Sequence, residues 1–152
     1  MNHWLLKSEP DVFSIDDLAR RPGRTEHWDG VRNYQARNYL RDGMRRGDLA
    51  FFYHSSCAVP GIAGIIEIAR AGYPDFTAFD PSSPHYDPAS TPENPRWFMV
   101  DVRHQRTFNR VIGLQELKAC PALGGMPLLM RGTRLSVMPV TPAQWDAIIA
   151  LE

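Results

Sequence analysis

Six residues inside one short stretch could build a site for a flat ligand with a polar edge. The segment HWDGVRNYQARNYLRDGMRRGDLAFFYHS, residues 27–55, brings together Trp28, the pair Arg32-Asn33 and the run Tyr53-His54-Ser55. An indole offers a stacking face, and a carboxamide offers both donors and an acceptor. A guanidinium matches phosphate, and a hydroxyl gives or takes one hydrogen bond. Apolar walls with a few placed polar groups suit a small planar ligand. Trp28, beside the Asp29-Gly30 turn, is the candidate platform, whereas Trp4, Trp97 and Trp145 sit in strand or helix patterns that suit the core. Hydrolytic chemistry is the weaker alternative. Tyr53, His54 and Ser55 superficially resemble a nucleophile and its base, but neighbours on a strand point to opposite faces, and no nucleophile elbow is present. His54 and Cys57 offer only half of a metal's usual ligand set.

The elements that must carry these groups follow from pattern. His3 to Lys7 reads as a buried strand that ends near Pro10, placing Lys7 and Ser8 at a strand end before a turn. Ser14 and Asp17 have the spacing of a capping box, and Arg20-Arg21-Pro22-Gly23 breaks the helix they start. Asn33 is a helix cap for a run from Tyr34 to about Arg46, and its side chain can serve both the cap and a base edge. Ala36, Leu40 and Met44 give that helix a core face. Arg37, Arg41 and Arg45 recur at the same spacing on another side, either as a phosphate-facing strip or simply as a wet face. Leu49 to His54 and Gly61 to Ala71 are strands, and Gly61 and Gly64 permit a bend or a close backbone approach. Residues 75–79 can form one helical turn. Residues 80–95 hold five Pro in sixteen positions and form a loop. Such a length is functional or disordered in a compact domain. Arg96 to Asn109 is the strand after it. A short helix from Leu114 and a strand from Leu135 to Val140 follow. Thr141, Pro142 and Gln144 then open a final helix with Trp145, Ile148 and Ile149 on its apolar face. Strands mixed with short helices, without regular alternation, predict an α+β domain with a curved or barrel-like sheet.

The totals narrow the class further. The chain has 152 residues, is 43% apolar and has zero formal net charge. That length suits a single domain with one core. Residues 20–46 hold eight Arg against three acids, and residues 47–101 hold two Arg against seven acids. Zero net charge can therefore hide a basic face, as a nucleic-acid partner would require. Two cysteines form no disulfide framework, and no segment has the look of a signal peptide or a membrane span. A soluble cytoplasmic protein is expected.

Several motifs, in order along nearly the whole chain, resemble the EVE domain of the PUA-like superfamily, which also contains the YTH readers of methylated adenine. They are WLLKSEPDVFSIDDL at 4–18, WDGVRNYQARNYLR at 28–41, GDLAFFYHS at 47–55, GIAGIIEIA at 61–69, PRWFMVDV at 95–102 and LSVMPVT at 135–141, with Trp145 behind it. The resemblance implies a pseudo-barrel of five or six strands flanked by short helices. It also implies a pocket for a modified base in DNA or RNA. Carried over, that pocket uses Ser8, Trp28, Val31, Arg32, Asn33, Tyr53, His54 and Ser55, with Pro95, Trp97, Leu135 and Ser136 as further members. Trp28 and Tyr53 are its aromatic candidates. Lys7, Arg37, Arg41 and Arg45 are the candidates for phosphate. The expected function is a non-enzymatic module, without cofactor or metal, that reads a modified base. The competing readings are an enzyme acting on a nucleoside-like substrate and a protein-interaction module using the basic helix.

Overall fold

The computed structural model describes residues 1–132 and 135–152. Six strands form one mixed sheet: β1 (His3–Ser8), β2 (Thr25–Trp28), β3 (Leu49–His54), β4 (Gly61–Pro74), β5 (Phe98–Gly113) and β6 (Val137–Val140). Their order across the sheet is β2-β5-β4-β3-β1-β6. β1 runs parallel to β3, with Ser8 level with His54, and every other pairing is antiparallel. Period-two alternation sorts the side chains onto two faces. Trp4, Leu6, Ala50, Phe52, Ile66, Ile68, Val100 and Val102 bury on one face, together with Trp28 and the residues of the first two helices. Leu5, Phe51, Tyr53, Ile62, Ile65, Phe108 and Ile112 bury on the other, under Leu117, Trp145 and Ile148.

The helices are short, and the caps expected at Ser14, Asn33 and Thr141 form. In α1 (Ile15–Ala19) Ser14 and Asp17 form the capping box: Asp17 N donates to Ser14 Oγ at 3.1 Å and Ser14 N to Asp17 Oδ2 at 2.9 Å. In α2 (Tyr34–Asn38) Ala36 N donates to Asn33 Oδ1 at 3.0 Å. α3 (Leu114–Lys118) follows β5, and α4 (Pro142–Leu151) starts with a capping box of Thr141 and Gln144. No helix among the described residues is long and apolar enough to cross a membrane.

Four expectations need correction. β2 was not legible as a strand: it has four residues, lies at a sheet edge and buries only Trp28. The basic helix is shorter than its periodicity predicts. After Asn38 the chain widens into a π turn, Tyr39–Gly43, closed by Met44 N donating to Tyr39 O at 2.8 Å. Arg45 therefore lies beyond the helical segment, and the three-arginine strip does not form. The cause is visible across the sheet, where a Cβ on Gly72 would come within 2.4 Å of Leu40 O. The bare backbone of β4 lets that turn sit directly on the strand. Finally, β5 starts at Phe98 rather than Arg96 and runs on to Gly113, which leaves Trp97 in the loop before it. Gly61 and Gly64 do mark close approaches, each facing a β5 carbonyl that a Cβ would meet at 2.3 Å.

Candidate nucleic-acid interface

A cleft of about 710 Å³ opens where the carboxyl ends of β1 and β2 meet the chain after β3 and the turn before β6. The backbone ties these pieces together: Ser55 N donates to Ser8 O at 2.9 Å and Lys7 N to Ser136 O at 2.8 Å. Lys7, Ser8, Trp28, Val31, Arg32, Ser55, Leu135 and Ser136, all expected site residues, line it. Ser8 Oγ donates to Phe13 O at 2.6 Å, so its free lone pairs face a ligand as acceptors.

Trp28 is both wall and core. It lines the cleft yet is only 7% exposed, and its ring meets Phe52 edge-on at 5.4 Å and Phe13 at 6.3 Å. Those contacts fix the plane of the indole before any ligand arrives.

Arg32 lines the cleft as a structural cation. Its Nη1 pairs with Asp75 Oδ2 at 3.0 Å, and its Nη2 donates to His85 O at 2.7 Å. Asp75 is fully buried and also receives Gly30 N at 2.9 Å and Thr77 Oγ1 at 2.5 Å. Burial alone would raise its pKa. The bonds from Thr77, Gly30 and Arg32 together outweigh that and hold the carboxyl below the usual carboxylate range. The ionised Asp75 thus fastens the Asp29-Gly30 turn, at φ +81° for Gly30, to the start of the long loop. That loop contributes His85 to the cleft.

Other expected members of the pocket lie elsewhere. Tyr53 points to the opposite face, into the second core cluster, with Lys7 Nζ 5.8 Å from its ring centre. Burial raises its phenol pKa. His54 Nε2 accepts Ile15 N at 3.2 Å, so the imidazole tethers the start of α1 and does not line the cleft. Burial lowers its pKa, which suits the neutral ring this bond needs. Asn33 is exposed and caps α2. Pro95 and Trp97 do not line the cleft either. Trp97 stacks on Tyr34 at 4.8 Å, donates from Nε1 to Asp87 Oδ2 at 2.7 Å and lies 5.3 Å from the Arg32 guanidinium.

Of the phosphate candidates, only Lys7 lines the cleft, and burial lowers its pKa. Arg37 donates to Arg96 O at 2.9 Å, and Arg41 pairs with Asp42 at 2.9 Å. Sequence reasoning missed Phe13, Glu26, His27, Asp29 and His85 of the lining. Glu26 is engaged by Arg21 Nε at 2.9 Å and His27 Nδ1 at 2.8 Å. The signal that was available is the sequence Glu26-His27-Trp28-Asp29, in which polar groups flank the stacking ring on both sides.

The geometry defines a class: a small α+β domain holding an aromatic and polar cleft at one end of a mixed sheet. The EVE domain family model matches residues 2–151, and the chain belongs to this family. It is 49% identical to thymocyte nuclear protein 1 of Homo sapiens over 168 residues, spanning 99% of this chain and 74% of that protein. A crystal structure from Pseudomonas putida is 56% identical with a TM-score of 0.94, covering 98% of each chain. The human THYN1 protein, crystallised in complex with 5-methylcytosine-containing DNA, is 47% identical with a TM-score of 0.94 over 99% of this chain and 97% of that one.

Proposed function

We propose that this chain is a non-catalytic reader of 5-methylcytosine in DNA, and that the modified base leaves its stack to enter the cleft against Trp28. The observation that carries the reading is a cleft with ample room for an extruded nucleotide and a pre-set indole wall, in a chain that shares its fold with a human relative crystallised on DNA of that kind. Extraction costs a few kcal/mol of stacking and pairing, which stacking on Trp28 and hydrogen bonds to the base edge must offset. Lys7 at the cleft, with Arg37 on α2 and Arg41 in the π turn after it, are the assigned phosphate contacts. They position the strand and carry no sequence information. Arg32 is committed to its bonds with Asp75 and His85 and so serves as a fixed part of the wall.

Fluorescence anisotropy with matched oligonucleotides tests this. Each carries one central 5-methylcytosine or cytosine, in DNA and in RNA. The expected order has the 5-methylcytosine DNA tightest, and the oligonucleotide is recovered with unchanged mass. Equal affinity for methylated and unmethylated DNA removes the reader assignment, and a tighter RNA arm moves it to RNA.

A further inference from the structure

Thymine carries the same 5-methyl group as 5-methylcytosine and is far more common in DNA. A cleft selecting on the methyl group and the flat face alone would be filled by thymine. The two bases differ at the edge. Cytosine presents an N4 amine, a donor, where thymine presents O4, an acceptor. Discrimination therefore needs an acceptor-only group fixed beside the stacking ring.

We propose that Asp29 is this group, accepting the N4 amine of the bound base and repelling thymine O4; the inference rests on the base-reading function above. Three observations carry it. Asp29 directly follows Trp28 and lines the same cleft. Its position is fixed from behind, because Gly30 N donates to buried Asp75, which Arg32 locks. The carboxylate is also uncommitted: among the described residues it makes no hydrogen bond, and its one ion-pair distance is 4.0 Å, to His27 Nε2. Glu26, the other carboxylate next to the ring, is already held by Arg21 and by both the backbone and side chain of His27. An ionised carboxylate accepts only, whereas a carboxamide in the same place can turn to offer an NH₂ to O4.

The test uses the whole chain and duplex oligonucleotides whose central base, 5-methylcytosine, thymine or cytosine, lies opposite an abasic site. Extraction then breaks no base pair in any arm. The wild type should bind 5-methylcytosine roughly tenfold or more tighter than thymine, the discrimination typical of one good base-edge contact. In Asp29→Asn that ratio should fall to near one, chiefly through tighter thymine binding. In Asp29→Ala it should fall through weaker binding of 5-methylcytosine. A wild-type ratio near one overturns the inference without any variant. An unchanged ratio in folded Asp29→Asn also overturns it, and leaves the reading to neutral acceptors such as Ser8. Failure of the function itself is a separate result: wild-type binding that does not distinguish 5-methylcytosine from cytosine.

Discussion

At the scale of single residues, the site depends on side chains that do two jobs. Trp28 holds the core through Phe52 and Phe13 and presents the cleft wall. Trp28→Ala should cost about 3–5 kcal/mol of stability, the usual loss for a buried aromatic, in a denaturant titration. It should also weaken binding of the methylated oligonucleotide by roughly 1–3 kcal/mol. Trp28→Phe should keep most of the first and lose part of the second, which separates wall from core. Asp75 has no such dual role; it is a buried clamp. Asp75→Ala leaves Arg32 and Gly30 N without their partner and should cost about 3 kcal/mol or more, with base selectivity falling as the Asp29 turn loosens. A stability change below 1 kcal/mol in that variant would mean that the clamp is replaceable. Motif residues that line the cleft, such as Ser8, Val31 and Ser136, were legible in the sequence. Tyr53 and His54 were not sorted correctly, because their faces depend on how β3 pairs with both neighbours, and the β3–β4 register shifts between Phe52 and Tyr53.

At the scale of elements, the strands with strong alternation were readable, and the departures came from backbone contacts. The helix from Tyr34 has the right apolar residues, and Ala36, Leu40 and Met44 are all buried. Its last turn is nonetheless a π turn, because Leu40 O rests on Gly72 of a strand more than thirty residues on. No local spacing encodes that contact. Gly72→Ala should therefore destabilise the fold by about 1–3 kcal/mol, the range for overpacking, seen as a lower denaturation midpoint. A neutral result would show that the turn can lift off the strand. The shortened helix also changes the charge argument. Arg37 lies on α2 and Arg41 in the π turn after it, where Arg41 is exposed and pairs with Asn38 and Asp42. If Arg41 contacts phosphate, Arg41→Ala weakens methylated and unmethylated DNA equally and lowers the salt slope by roughly one unit. An unchanged slope assigns it to the solvated surface.

At the scale of the whole molecule, stability depends on pH through His54, His104 and Asp75, whose pKa values are all lowered in the fold. Burial lowers the pKa of His54 and His104, and the bonds around Asp75 lower its carboxyl. A depressed folded-state pKa adds stability above the unfolded value and loses it as pH falls through the folded one. Melting temperature should thus start to drop once pH falls below about 6.5, the ordinary histidine value, and drop faster below about 4, the ordinary aspartate value. A melting temperature flat down to pH 4 would contradict the histidine part. The most direct test of the central claim is the position of the base itself. A DNA oligonucleotide carrying 5-methylcytosine with a ¹³C-labelled methyl group, bound to this chain, reports that position by NMR. Stacking on Trp28 predicts an upfield methyl shift and cross-peaks from the methyl to the Trp28 indole protons. A bound oligonucleotide whose methyl shows neither, or whose cross-peaks lead to another surface, would contradict it.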